Sequence, residues 1–430
     1  AAAVPGRASP EGTARFVAAR PLGALEARTL GRTGLRVSPV GFGCHRLEDT
    51  AEQRQALRGA IRCGCNLVDV APNYGAGAAE SAVGAVLADL LSSGEVQRDE
   101  VVVVTKVGNI VGPALRSPLV RDLGSAVARV REGAWHCLEP AWIEAELTAS
   151  LGRLGLACVD CVLLHCPEFA SRAPGVSMEE VYRRVGRAVD HLESEVARGR
   201  AARYGVTAAF YPLRASDPEH LLLGRLLEAL PTEGHHFELL QFPLNFAEPQ
   251  ALWMPHVARN ADGAARDAAA ALDAPPLAAL ARRHGLATLA NRPLDGIRGE
   301  LRGVLRFASE VPANSEFQEE DVDALEEKLT SICAPALGEA GEGAVAGALA
   351  AKTVKVLASL ADVDCVLVGM RRPQHVVDVV EVLRRTPPLD AQGALDAVRS
   401  VHTTLDMWFC AADEADHGTS KDWRLPPREL

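Results

Sequence analysis

The sequence predicts a (β/α)8 TIM barrel with an N-terminal hairpin, long loops and terminal extensions, and three observations lead there. Short apolar runs rich in β-branched residues alternate with segments of helical period, and strict alternation implies parallel strands, right-handed crossovers and helices outside. Eight such units can be counted, the number that closes into a barrel. Three of the runs stop at a residue suited to proton chemistry: Asn66-Leu67-Val68 at Asp69, Val101 through Thr105 at Lys106, and Cys161 through Leu164 at His165. The C-terminal strand ends of a parallel barrel form one rim, so these distant residues meet there. A doubly wound open sheet is the other reading, but no matching Gly-rich phosphate loop accompanies it.

The elements follow in order. Residues 1–28, rich in Ala, Arg, Gly and Pro, read as an irregular N-terminal extension. Leu30 to Val37 reads as a small hairpin with Gly34 at its turn. The barrel is expected over 29–386, with strands over Val40–Cys44, Asn66–Val70, Val101–Lys106, Cys161–His165, Arg203–Thr207, Phe237–Gln241, Ala287–Ala290 and Cys365–Val368. Helices are predicted near 51–62, 79–92, 141–153, 178–197, 217–229, 277–284, 344–360 and 373–384. The connection from Lys106 to Pro140, which contains Trp135-His136-Cys137, is too long for an ordinary loop, as are 246–276 and 295–343. Loops of that length usually act as lids or partner surfaces. Residues 387–430 form a C-terminal extension, its 409–430 tail expected outside the barrel.

Bulk properties exclude several functions. The chain has 430 residues, is 48% hydrophobic and carries a formal charge of −11. That is ample for a large core and wrong for a nucleic-acid surface. No apolar run approaches the ~20 residues of a membrane helix, so no membrane insertion is expected. Of ten cysteines, Cys158, Cys161, Cys166 and Cys365 lie in or beside strand candidates, where Cys behaves as a small hydrophobe. A reducing compartment fits this usage. The Ala1-Ala2-Ala3-Val4 start looks processed, which points to an organelle, chloroplast stroma or mitochondrial matrix, and otherwise to the cytoplasm.

The rim residues suggest carbonyl reduction. Tyrosine is a poor acid near neutrality, with an ordinary pKa of about 10. An ammonium beside it stabilises the phenolate and is expected to lower that value. A carboxylate holds the ammonium in place, and a neutral His nitrogen can orient a carbonyl. Tyr74 then serves as the acid, Lys106 and Asp69 as its tuners, and His165 as the orienter. Each alone reads as a cap, a loop aromatic, a surface charge or a core histidine. Their placement at successive strand ends argues for a site.

The residues carry a further resemblance. Leu30-Gly31-Arg32-Thr33-Gly34-Leu35, Gly41-Phe42-Gly43, Asp69 through Tyr74-Gly75 with Glu80, Val104-Thr105-Lys106, and His165-Cys166-Pro167-Glu168 occur in one order, followed by Asn291-Arg292-Pro293-Leu294 and Leu367-Val368-Gly369-Met370. Over roughly 28–386 this resembles the aldo-keto reductase family, in the branch with a His-x-Pro-Glu strand end. The resemblance implies a small carbonyl substrate, NADPH or NADH lying extended across the rim, and a catalytic tetrad at Asp69, Tyr74, Lys106 and His165. It places cofactor contacts at Thr207, Gln241, Asn291, Arg292, Leu294, Arg371, Arg372 and His375. Departures from the pattern imply weak binding: Ala208 lacks an amide that would meet the nicotinamide carboxamide, Asn291 stands where an aromatic stacks, and Val379 replaces an adenine-binding amide. Arg298, Arg302 and Arg306, spaced by four, read as a solvated helix face or a pyrophosphate clamp. The alternative is a barrel recruited as a structural or regulatory subunit of a larger complex, with protein partners on the termini and the 295–343 insertion.

Overall fold

The computed structural model describes residues 3–211, 220–231, 234–257, 273–294, 327–328, 331, 349–385 and 389–415, with side chains of the last segment described to 405. The Arg298, Arg302 and Arg306 stripe, most of 295–343 and the end of the C-terminal tail lie outside these residues.

Arg28–Thr29 (β1) pairs antiparallel with Arg36–Val37 (β2), which is the expected hairpin. Eight strands then close a parallel barrel: Val40–Gly43 (β3), Leu67–Asp69 (β4), Val102–Val107 (β5), Cys161–His165 (β9), Tyr204–Thr207 (β10), Phe237–Pro243 (β11), Ala287–Asn291 (β12) and Cys365–Val368 (β13). Between β5 and β9, Asn109–Val111 (β6), Ala128–Arg131 (β7) and Ala134–His136 (β8) form a separate antiparallel sheet in the order β6-β8-β7. The long loop after Lys106 is therefore built structure.

The period-2 alternation of a strand sorts residues between two cores. Leu67, Val102, Val104, Cys161, Leu163, Leu239, Ala287, Leu289, Cys365 and Leu367 fill the barrel interior, and Leu30, Leu35, Val37 and Ala8 close its base. Their neighbours Val68, Val103, Val162, Leu164, Tyr204, Val206, Leu240, Ala290 and Val366 face outward into the layer of helices. The hairpin and the residue at position 8 thus act as a plug.

The N-terminal segment differs from expectation. The N-terminal segment contains a helix, Pro10–Ala19, capped by Ser9, whose Oγ accepts from the Gly12 amide at 2.9 Å. It docks on the barrel's own base: Phe16 is fully buried, Arg15 pairs with Asp99 and Glu100, and Val4 bridges to Leu156. Gly12 is required there, since a Cβ would come within 2.4 Å of the Asp99 carbonyl. Ser9-Pro10-Glu11 is a helix-start signal that the composition of the segment obscured. At the other end a helix spans Ala391–Ala415, and Ala394, Ala397, Val398, Val401 and Leu405 bury one face of it. His402 Nδ1 donates to the Phe246 carbonyl at 2.8 Å and its ring lies 5.6 Å from that of Trp253. Residues 3–28 therefore pack on their own barrel rather than outside it, and 391–405 of the C-terminal extension pack there too, while the side chains of the 409–430 tail lie outside the described residues. Among the described residues no helix is long and apolar enough to cross a membrane, and no His, Cys, Asp and Glu cluster suits a metal ion.

Candidate active site

The inward row of each strand continues past the apolar interior, and its next member is polar. Two residues beyond Leu67 comes Asp69, beyond Val104 Lys106, beyond Leu163 His165, beyond Leu239 Gln241, and beyond Leu289 Asn291. Thr207 holds the same place on β10, whose Tyr204 and Val206 face outward. The candidate site is the top layer of the barrel interior. On β3 and just past β13 that layer is glycine, Gly43 and Gly369, and Gly369 is exposed. Those two strands therefore contribute no side chain to that layer.

Tyr74 is not on a strand. It opens a turn, Tyr74–Gly77, in which Gly75, Ala76 and Gly77 have φ of 56°, 51° and 94°. Three successive left-handed residues fold the chain back toward the rim, and glycine makes this feasible at two of them. A Cβ on Gly77 would also come within 2.8 Å of Arg153. Arg153 in turn pairs with buried Glu80 at 2.7 Å, and Glu80 accepts from Thr105 Oγ1 at 2.7 Å. This ties the turn's following helix to β5, next to Lys106.

The four tetrad positions converge. Lys106 Nζ donates to Asp69 Oδ2 at 2.7 Å and to the Val70 carbonyl at 3.1 Å, and lies 3.2 Å from Tyr74 Oη. The Tyr74 and His165 rings meet edge to face with centroids 6.2 Å apart. Burial opposes the charge on Lys106, but Asp69 and Tyr74 outweigh it and hold the ammonium above its ordinary range. Burial pushes the Tyr74 hydroxyl up to about 12, while Lys106 works in the opposite direction. The expectation of a lowered Tyr74 is therefore corrected: Lys106 acts with the expected sign, and desolvation is larger. Burial first, then the positive Lys106, hold His165 well below the usual imidazole range, so its ring is neutral.

Other contacts were not visible in the sequence. His136, from β8, donates its Nε2–H to the His165 carbonyl at 3.0 Å, and burial lowers it to about 4. The length of the loop was the only signal. The His45 ring sits edge to face on Tyr74 at 5.2 Å.

The proposed cofactor positions divide. Gln241 Nε2 donates to Asp69 Oδ1 at 2.8 Å, and its Oε1 accepts from Thr207 Oγ1 at 2.9 Å and Asn291 Nδ2 at 3.1 Å. Arg292 follows in a left-handed conformation with φ of 57°, and its carbonyl accepts from Asn245 Nδ2. Leu294 packs against the outer core. Arg372 is exposed and Arg371 half-buried beyond β13. His375 is instead buried, at 1% exposure, in the first turn of the helix Pro373–Arg385 that follows β13. Val379 is equally buried, so its side chain belongs to the helix-layer core.

A parallel barrel with polar side chains gathered at its C-terminal mouth falls in the broad class of β/α barrels that carry a site there. Residues 39–213 match the Aldo/keto reductase family model. Over 155 residues the chain is 33% identical to L-galactose dehydrogenase of Arabidopsis thaliana, and over 147 residues 33% identical to an NADH-specific methylglyoxal reductase of Escherichia coli. Each alignment covers 34% of this chain and 40% of the relative. An aldo-keto reductase from Klebsiella pneumoniae, crystallised with NADPH, superposes with a TM-score of 0.52 at 20% identity, over 88% of this chain and 95% of that one. At that identity the likeness speaks to the fold alone. The family model and these relatives make the chain similar to aldo-keto reductases over its N-terminal half, and the chain spans about two fifths of the length of the curated relatives it matches.

Proposed function

We propose that this chain is an NAD(P)H-dependent reductase that converts an aldehyde or ketone to an alcohol, with Tyr74 as the proton donor. The observation that carries the proposal is Tyr74 Oη lying 3.2 Å from a buried, Asp69-bound ammonium and facing a neutral imidazole. Two of the similar proteins bear on the cofactor: one is described as NADH-specific, the other was crystallised with NADPH.

The residues present fit a nicotinamide dinucleotide. Asn291 Oδ1 is a shielded acceptor with no donor among the described residues, and Gly43 and Gly369 bring no side chain to their part of the rim. Thr207, Gln241 and Asn291 would hold the nicotinamide end, and Arg371 or Arg372 a phosphate. Bound, the cofactor supplies the hydride. The chain's own residues supply the rest. Tyr74 Oη and a His165 ring nitrogen hold the carbonyl oxygen. As negative charge develops on that oxygen, the Tyr74 proton passes to it and completes the alcohol. The phenolate left behind is stabilised by Lys106, which Asp69 keeps charged and in place. A Tyr74 pushed up to about 12 stays fully protonated at neutral pH, so the acid is always loaded. The alkoxide forming beside it is the stronger base, which makes the transfer favourable.

The test is Tyr74→Phe in the full chain, assayed against an aldehyde panel with NADPH and NADH. The expected result is a fall of about 10²- to 10⁴-fold in kcat/KM with unchanged dinucleotide affinity. An equal loss of dinucleotide binding would make Tyr74 structural and sink the mechanism. The second reading, a barrel serving an assembly with idle chemistry, draws on apolar Ala208 in the cofactor region. Sub-micromolar binding of either dinucleotide by the isolated protein would remove its support.

A further inference from the structure

The orientation of the amides across the mouth is forced, one bond after another. Asp69 is ion-paired to Lys106 and can only accept. Gln241 must therefore turn Nε2 toward Asp69 Oδ1, which leaves Oε1 facing the other way. That oxygen accepts from Thr207 Oγ1 and from Asn291, so Asn291 must present Nδ2 to it. The same Nδ2 lies 3.4 Å from Thr207 Oγ1. Flipping the Asn291 amide would set two oxygens against each other. What remains is Asn291 Oδ1, shielded from solvent and without a donor among the described residues. It belongs to a half-buried side chain at the very end of β12, on the inward row of the rim. A shielded acceptor in that state calls for an N–H or O–H from outside the chain.

Position 208 supplies no competing polar side chain. Ala208 is buried and its side chain offers no polar atom; only its backbone N–H is used, donating to the Gln241 carbonyl at 3.1 Å. The strand order places β11 between β10 and β12, so Gln241 bridges Thr207 on one side and Asn291 on the other. We infer that Asn291 Oδ1 accepts the carboxamide N–H of the nicotinamide ring. This rests on the cofactor reading above. The ring is then recognised by its polar edge from β12, and through Gln241 the same contact touches Asp69, the group that holds Lys106.

The experiment is calorimetric titration of the full-length protein with NADPH and NADH and with their 3-acetylpyridine analogues, in which a methyl ketone replaces the carboxamide and the N–H is gone. The wild-type chain should bind the natural form roughly 3- to 10-fold more tightly than the analogue, the span one net hydrogen bond supplies. Asn291→Leu should bind both alike, and Asn291→Ser, a milder change, should lose most of the preference as well. A natural-to-analogue ratio that stays at the wild-type value in both Asn291 variants overturns the assignment while leaving the reductase reading intact. A wild-type protein that binds none of the four dinucleotides overturns both.

Discussion

At the base of the barrel Asp160 pairs with Arg98, and at the mouth Asp69 pairs with Lys106; both carboxylates are buried. The base pair ends on backbone. Asp160 accepts from the Ala8 amide at 2.6 Å and the Val103 amide at 2.7 Å, while Arg98 donates to the Val101 carbonyl at 2.7 Å and the Cys158 carbonyl at 3.1 Å. It stitches the N-terminal segment to the starts of β5 and β9. The mouth pair ends on side chains: Lys106 reaches the Tyr74 hydroxyl, and Asp69 reaches the Gln241 amide. Burial alone therefore does not mark a functional ion pair. The distinction lies in where its last hydrogen bonds go, to groups that cannot titrate or to a titratable group beside an open rim.

Substituting each cation separates the two roles. On the proposed mechanism, Lys106→Met should cost about 10²- to 10⁴-fold in kcat/KM, because a Tyr74 phenolate would lose its counter-charge. Steady-state kinetics would show it, and an unchanged rate would make the two pairs equivalent. Arg98→Met should leave kcat within a few-fold but destabilise the fold by roughly 3–5 kcal/mol, since Asp160 is left as an uncompensated buried charge. Urea denaturation measures that loss. A larger kinetic than thermodynamic effect would contradict the base pair's structural role.

The mouth should also be the acid-sensitive end. His136 is held down at about 4, below the ordinary imidazole value of about 6.5. Between those values the unfolded chain binds a proton that the folded chain refuses. Its contribution is thus fully present above about pH 6.5 and is lost as pH falls toward 4. The full span amounts to roughly 3 kcal/mol. Denaturation at pH 7 and pH 5 should show the fall in wild type and a shallower one in His136→Gln. Equal slopes would mean that the neutral state of His136 is not what the β6-β8-β7 sheet depends on.

The smallest effect is expected at the base. Ser9→Ala removes the cap of the Pro10–Ala19 helix and should cost about 1 kcal/mol without changing kinetics. No loss of stability would mean that burial of Phe16, rather than the cap, holds the segment.

The barrel and its rim were legible because strand patterning is local. Val102, Val104 and Lys106 share one parity, as do Cys161, Leu163 and His165, so an inward apolar row ending in a polar residue can be read before any fold is built. The two terminal helices were harder to read. The N-terminal helix lay under an Ala, Arg, Gly and Pro composition that suggested irregular chain, although Ser9-Pro10-Glu11 signalled its start. The C-terminal one was readable in principle from Ala394, Ala397, Val398, Val401 and Leu405, but nothing local showed that a surface waited to bury that face.

By itself the sequence determined the eight strands, their inward rows and the residue types at the rim, since these depend on neighbours two to four positions away. Only the tertiary structure decided the sign of the Tyr74 shift, because desolvation depends on everything packed around the hydroxyl and here exceeds the pull of Lys106. It alone joined Asn291 to Gln241, 50 residues away, and left Asn291 Oδ1 in need of a donor. Closure of the barrel sets which strands are adjacent, and adjacency across such distances is fixed by packing the whole chain rather than by any stretch of it.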